Sequence, residues 1–323
     1  MERKAAYLQI TRRCNQACIF CSNPQFDKNY SFEEAKKQVL EFKRKGINEI
    51  FLSGGEPTIV KFLPELIFFI KKQGIEPRMI TNGVKLSYKK LTKKLFDYGL
   101  RDINISIHSN KAEIANRLSQ RKGHFKKVIE GVRNAIDIGM NVQINSTINS
   151  VNCKSLVEFV KFFCKNFPEI NHFVFNNLDP GYSDSKLKSR AGENPWIVAR
   201  FVDFELELRK MVDFLKKKNK TFRIERVPLC YMQGFEEFST ETRKIVKNEQ
   251  YICLFIEKGP KNEVRIHEPS QLRTKVDCCK FCKLKKICAG IQKEYLMIHG
   301  DKEFYPIFSD PQKIIDKIKN EKQ

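Results

Sequence analysis

The chain has 323 residues, 41% hydrophobic and 30% charged, a composition that excludes a wholly disordered or fibrous polymer and can fill a sizeable core. Its 60 Lys and Arg against 38 Asp and Glu leave a formal charge of +22, which suits an acidic partner such as RNA, DNA or an acidic peptide; the excess is spread along the chain and equally fits a lysine-rich solvated surface. No apolar run reaches the length of a membrane helix, and the stretch 5–10 meets Thr11 and Arg12 too soon to form the core of a signal peptide, so the expected location is the cytoplasm. Eleven cysteines are many for a reducing compartment unless they hold metal, and an odd count in tight groups argues against a disulfide framework.

In chain order, a β-rich run at 5–10 leads into Cys14-x3-Cys18-x2-Cys21. Ser31 and Glu34 form a capping-box pattern, Ala35, Val39 and Phe42 make the apolar stripe of a helix, and Gly46 sits where its C-terminal cap belongs. The run 49–53 continues into Gly54-Gly55-Glu56-Pro57-Thr58, and a third run, 78–81, precedes a helix opened by Ser87 that carries Leu91 and Leu95 and ends near Gly99. Runs at 103–107, 141–148 and 172–176 follow, with a helix lined by Phe125, Val128, Val132 and Ala135 stopping at Gly139. Six β/α units in series predict an α/β fold with a parallel sheet and right-handed crossovers, curled into a partial barrel because six strands are too few for the eight-stranded one.

Asn194-Pro195 reads as the start of a long helix through about 218, after which the alternation stops. Short strands are expected at 221–227, 251–256 and 264–266, with Gly259-Pro260-Lys261-Asn262 turning between the last two. This part is Cys-rich and too small to hold itself by apolar packing alone, so a metal centre is expected to support it.

Three thiolates within eight residues, at the carboxyl end of the first strand, can wrap one corner of a cubane and leave one iron open to a small bidentate ligand. The alternative is buried thiols or a zinc knuckle completed by a distant His. Gly54 and Gly55 let backbone approach a ligand, and Glu56 offers an anionic acceptor for an ammonium group. Downstream, Cys279-x2-Cys282-x5-Cys288, with Cys278 adjacent, is a second metal-binding run for which zinc is an alternative. Cys153 and Cys164 read as buried small hydrophobes, His108 as a structural histidine, and Arg12-Arg13 either as exposed charge or as a pair that tunes a neighbouring cluster or meets a redox partner.

Cys14-x3-Cys18-x-Phe20-Cys21 together with Gly54-Gly55-Glu56-Pro57 resembles the radical S-adenosylmethionine (radical SAM) superfamily, with further matches at Thr81-Asn82-Gly83 and Ile105-Ser106-Ile107-His108, over residues 5–180. The resemblance implies a partial (β/α)6 barrel in which Cys14, Cys18 and Cys21 ligate a [4Fe–4S] cluster with SAM on its unique iron. It further implies that Gly54, Gly55 and Glu56 hold the methionyl amine, that Ser106 and Asn145 touch the ribose, and that reductive cleavage gives a 5′-deoxyadenosyl radical that abstracts a substrate hydrogen.

The second run resembles the SPASM/twitch extension of that superfamily. This implies one auxiliary [4Fe–4S] cluster on Cys230, Cys279, Cys282 and Cys288, with Cys278 and Cys253 as possible replacements; no cysteine follows Cys288 to build a second. The expected organisation is a barrel at 1–190, a connecting helix at 191–220, an auxiliary-cluster domain at 221–308 and a basic helix or tail at 309–323. A flavodoxin or ferredoxin is the expected one-electron donor and a peptide or protein the expected substrate. The alternatives are RNA, especially tRNA, and a non-enzymatic iron–sulfur or zinc protein.

Overall fold

Apolar residues at every second position of successive strands give the sheet one greasy face, and this face organises the molecule. The computed structural model describes residues 4–23, 27–180, 189–249, 252–254, 264–266 and 272–321. The elements run β1 (Ala5–Gln9), α1 (Phe32–Arg44), β2 (Glu49–Ser53), α2 (Leu63–Lys72), β3 (Glu76–Thr81), α3 (Lys89–Asp97), β4 (Asp102–Ser106), α4 (Ala112–Ser119), α5 (His124–Asp137), β5 (Asn141–Ile148), α6 (Leu156–Asn166) and β6 (His172–Asn177). They continue with α7 (Arg190–Glu193), α8 (Phe201–Lys217), β7 (Thr221–Glu225), α9 (Thr240–Lys247), β8 (Ile252–Leu254), β9 (Val264–Ile266), β10 (Arg273–Thr274), β11 (Ile291–Gln292), α10 (Lys293–His299) and α11 (Pro311–Asn320).

One curled sheet takes the order β7-β6-β5-β4-β3-β2-β1-β8-β9, parallel throughout except for the β8–β9 pair; β10 and β11 form a separate antiparallel ribbon. Ala6, Leu8, Ile50, Leu52, Met79, Ile103, Ile105, Ile144, Phe173 and Phe175 on the outer face are buried together with Val39, Phe42, Leu66, Leu95, Val132 and Phe163 of the helices. At about 25 cal/mol per Å² of apolar surface removed from water, this layer is the main stabilising contribution. The capping box at Ser31 is present: Glu34 N–H donates to Ser31 Oγ, and Ser31 N–H donates to the Glu34 carboxylate.

The six expected strands all form, within two residues at each end. The sheet, however, crosses the boundary expected at 220. The segment expected to open the C-terminal unit is β7, which pairs with β6, and β8 pairs with β1. Both edges of a six-stranded sheet expose unpaired backbone groups, and these strands cover them. The long helix begins at Phe201, not at Asn194, because Asn194 and Pro195 start a separate 3-10 turn that ends at Ile197. Ser87 likewise ends a 3-10 turn, and α3 starts after Tyr88. The β8–β9 pairing agrees with the expected hairpin, whose turn at Gly259, Pro260, Lys261 and Asn262 lies outside the described residues. The C-terminal segment is a docked helix: Asp310 caps α11, and Ile314 and Ile318 are buried. Among the described residues no helix is long and apolar enough to cross a membrane.

The cysteine-rich segment is fastened to the start of α8 by aromatic rings. Phe201 lies 5.2 Å from Tyr231, 4.5 Å from Tyr295 and 5.9 Å from Phe304 between ring centroids. Phe201 N–H donates to Tyr295 Oη at 3.0 Å, Val202 N–H to the Glu303 carboxylate at 3.0 Å, and Tyr231 Oη–H to the Glu303 carbonyl at 2.7 Å. Removing the central ring leaves a cavity that these neighbours cannot fill. Phe201→Ala is therefore expected to lower unfolding stability by about 3–5 kcal/mol, read from urea denaturation followed by circular dichroism.

Candidate active site

The cysteine loop leaves β1 at its carboxyl end and is pinned from three sides. Ala17 N–H and Ile19 N–H donate to the carbonyls of Ser119 and Leu118 at the end of α4, both at 3.0 Å. Ala191 N–H of α7 donates to the Cys21 carbonyl at 3.2 Å, and Arg190 beside it favours the thiolate of Cys18. Phe20 is buried edge-on against the His108 ring, 4.6 Å between centroids. Cys14, Cys18 and Cys21 thus open onto one cavity.

The loop after β2 is held directly against this one. Gly55 N–H donates to the Thr11 carbonyl at 2.7 Å and Glu56 N–H to the Arg13 carbonyl at 2.8 Å. The glycines are required by that approach: a Cβ on Gly54 would stand 2.6 Å from the Thr11 carbonyl oxygen, and one on Gly55 2.2 Å from that of Arg13. The two glycines thus bring this loop into close approach with the chain that carries the cysteines.

Glu56 is wholly buried and its carboxylate is already engaged. Oε1 accepts from Thr58 N–H at 3.0 Å, Thr58 Oγ1 at 2.5 Å and Thr81 Oγ1 at 2.6 Å; Oε2 accepts from Asn82 N–H at 2.7 Å. Burial pushes its pKa up, whereas four donors aimed at it favour the ionised form. Glu56 is therefore built into the floor of the site as an anchor for three loops rather than standing out as a bare acceptor. Asn82 extends the network, donating from Nδ2 to Asn15 Oδ1 at 2.7 Å and to Cys14 Sγ at 3.8 Å. The sequence reading named Asn82 only within a motif.

Burial, together with Glu56 and Cys21, pushes the Cys14 thiol up to about 11, and burial with the neighbouring cysteines pushes Cys18 up as well. Thiols that resist ionisation partly because of one another are a donor set that a cationic metal centre relieves, releasing protons as it binds. Among the described residues no three His, Cys, Asp or Glu side chains converge at the spacing of ligands around a single ion. Three thiols within eight residues that open onto one cavity fit one corner of an iron–sulfur cluster.

The cavity, about 1450 Å³, runs from this loop across the inner face of the sheet. Asn104, Ser106, Gln143, Asn145, Thr147 and Asn176 line it, on the strand faces opposite the buried apolar residues. Ser106 and Asn145 are register partners, and Asn176 Nδ2 donates to Asn145 Oδ1. Gln143, Thr147 and Asn176 were missed by the sequence reading; the polar alternation in Asn141-Val-Gln-Ile-Asn-Ser-Thr-Ile was the signal, because a parallel strand covered on both faces reads apolar throughout. His108 also faces the cavity, with Nδ1 accepting from Thr147 N–H at 3.0 Å, so its proton sits on Nε2.

The profile of the Radical SAM superfamily matches residues 8–162. Residues 8–162 form a radical SAM domain. Among curated relatives it is 29% identical to GTP 3′,8-cyclase of Aquifex aeolicus, over 79% of this chain and 83% of the relative. It is 30% identical to PqqA peptide cyclase of Rhodopseudomonas palustris, over 49% of this chain and 42% of that protein. Further relatives are matched over little more than half of their own length. In fold it is similar to Streptococcus suis SuiB in a crystal structure with S-adenosylmethionine, with a TM-score of 0.65, 17% identity, and coverage of 94% of this chain and 76% of that one.

Radical SAM enzymes cleave S-adenosylmethionine at a [4Fe–4S] cluster, and this one carries a second cysteine group. Cys278 and Cys279 lie in the 3-10 turn Asp277–Phe281, with Cys282 closing it and Cys288 following the next turn. The packing of Tyr231 against Phe201 carries Cys230 to them, and Cys288 and Cys279 both raise its pKa through their charge, after burial. Ile307 N–H donates to Cys282 Sγ and Gly290 N–H to Cys288 Sγ, both at 3.4 Å. Cys278 is half-buried like Cys279, and burial together with Cys279 and Cys282 raises its thiol pKa. Cys253 pairs with Tyr7 in the main sheet and lines the cavity, with Lys244 as the charged group acting on it, so it does not join the C-terminal group. Cys153 is buried as expected; Cys164 is half-buried. Arg12 is buried and donates to Asn23 Oδ1 at 2.9 Å, whereas Arg13 is exposed and paired with Asp27 at 2.6 Å. None of the eleven cysteines forms a disulfide.

Gly55→Ala is expected to cost about 1–3 kcal/mol and to lower the iron bound per chain after anaerobic reconstitution, because the displaced Arg13 carbonyl precedes Cys14. Iron and sulfide assays beside a thermal melt would read both. Burial lowers the His108 pKa from 6.5 to about 4, so between those values the unfolded chain binds more protons than the folded one. Its contribution to stability is complete above about 6.5 and lost as pH falls toward about 4. His108→Asn is expected to flatten the fall in urea midpoint over that window.

Proposed function

We propose that Cys14, Cys18 and Cys21 hold the [4Fe–4S] cluster of this radical SAM enzyme and that the cavity beside them is its substrate chamber. The observation that carries the reading is the direct backbone bonding of the Gly54-Gly55-Glu56 loop to residues 11–13, which sets both loops around one end of a single cavity. The cluster with SAM supplies, on one-electron reduction, the 5′-deoxyadenosyl radical for hydrogen abstraction. The chain's own residues position and shield: Glu56 anchors the loops, the glycine backbone borders the methionyl end, and Ser106 and Asn145 offer polar groups to the ribose. Cys230, Cys279, Cys282 and Cys288 take an auxiliary [4Fe–4S] cluster, with zinc as the alternative occupant. A flavodoxin or ferredoxin in a reducing cytoplasm suits both the electron requirement and eleven thiols outside disulfides.

A peptide or protein is the substrate favoured here, because the chamber is open and large enough for a chain segment and a peptide cyclase is among the relatives. A purine nucleotide is the second reading, favoured by the relative that spans most of the chain, a GTP 3′,8-cyclase. RNA remains the use of the +22 charge that salt-dependent binding would reveal. Anaerobically reconstituted protein with SAM and dithionite is expected to release 5′-deoxyadenosine, and a Cys14→Ala, Cys18→Ala, Cys21→Ala variant none, by chromatography and mass spectrometry. A burst on adding GTP, with GTP consumed, would favour the nucleotide; no product from fully loaded protein with any substrate class would sink the enzymatic reading.

A further inference from the structure

The far wall of the chamber holds two arginines that already grip a carboxylate. Arg223 of β7 lies in one row of backbone pairing with Ser106, Asn145 and Val174. At about 4.8 Å per strand, its backbone stands roughly 14 Å across the sheet from Ser106. Arg243 comes from α9, and both line the cavity together with Glu321, just past the end of α11. Glu321 Oε1 is 3.6 Å from Arg223 Nη2, and its Oε2 accepts from Arg243 Nη1. Burial and the neighbouring Arg243 both lower the pKa of Arg223, and Glu321 is the foremost group opposing them, followed by Glu249.

The two sides of this contact are built differently. The arginine side chains are 25% and 11% exposed and belong to the wall, whereas the glutamate is 38% exposed and is brought in from the end of a helix. That helix is held by buried Ile314 and Ile318 and by Lys317 facing Glu237 at 3.6 Å, so its docking does not require the carboxylate. Other arginines nearby have partners of their own: Arg273 pairs with Glu241 at 2.8 Å, and Arg226 faces Asp179 at 3.7 Å and Asn176. A planar carboxylate delivered by a stretch of peptide is what the Arg223–Arg243 pair accommodates.

We propose that Arg223 and Arg243 form a carboxylate subsite for an acidic peptide substrate, and that Glu321 fills it as a stand-in in the free enzyme. This rests on the chamber being the substrate site of the radical SAM reaction. An incoming Asp or Glu side chain displaces Glu321, whose tethered competition lowers apparent affinity by the fraction of time the subsite is filled.

The test is fluorescence anisotropy of a dye-labelled hexaglutamate peptide with the full-length, cluster-reconstituted protein in low salt. Glu321→Gln is expected to tighten binding about tenfold. Adding Arg223→Gln or Arg243→Gln should abolish that gain, and Arg243→Lys should keep part of it. Thermal melts identify any variant that fails to fold, and Arg223→Gln and Arg243→Lys carry the test if Arg243→Gln does. Unchanged affinity in Glu321→Gln, or full affinity without the arginines, would overturn the subsite. A gain for dye-labelled oligouridylate but not for the peptide would overturn the substrate class. Binding needs no electron and no SAM cleavage, so this can fail while 5′-deoxyadenosine is still made, and the reverse.

Discussion

The buried carboxylate of Glu56, accepting four hydrogen bonds from Thr58, Thr81 and Asn82, ties the loops after β2 and β3 to each other and, through Asn82, to the cysteine loop after β1. A carboxylate without water is costly unless its acceptor sites are met, and each of these donors has few alternatives once the loops close. The loops therefore stand or fall together. Gly54 and Gly55 make the same demand sterically, since any side chain there would push the 11–13 segment, and with it Cys14, out of place. The mouth of the barrel is a rigid frame of three loops, and the thiols are mounted on it.

The rest of the chamber follows from leaving one face of a parallel sheet uncovered by helices. Such a face needs polar residues where a doubly covered sheet would carry Val or Ile, and β4, β5 and β6 supply Asn104, Ser106, Gln143, Asn145, Thr147 and Asn176. Arg226 Nη1 donates to Asn176 Oδ1, and Asn176 in turn donates to Asn145, so the polar lining is continuous from the last strand of the curl toward the cysteine end. The chamber has chemically distinct ends, thiols at one and guanidinium groups at the other. A substrate bridging them would be oriented as well as bound.

The C-terminal cysteines depend on a different device. Their segment consists of short 3-10 turns and a two-residue ribbon, with little surface to bury on its own. Phe201, Tyr231, Tyr295 and Phe304 join it to α8, and the Glu303 carboxylate satisfies Val202 N–H while its carbonyl takes the Tyr231 hydroxyl. The same packing places Cys230, some fifty residues earlier in the chain, next to Cys279 and Cys288. Support for the C-terminal cysteine group is therefore aromatic packing against the barrel's own helix.

The sequence by itself determined the local features. Periodicity of two located β1 to β6, Ser31 with Glu34 announced the start of α1, and the Cys14, Cys18, Cys21 and Gly54-Gly55-Glu56 patterns each marked a candidate site, because each depends on residues within a few positions of one another. Tertiary structure alone decided that β7 and β8 complete the sheet, that Cys230 and not Cys253 meets the C-terminal thiols, that Glu56 turns inward, and that Glu321 lies between Arg223 and Arg243. Each of these joins residues far apart in the chain. Which partner wins there depends on the edges, cavities and unmet charges left once the local elements have packed, and no local pattern carries that information.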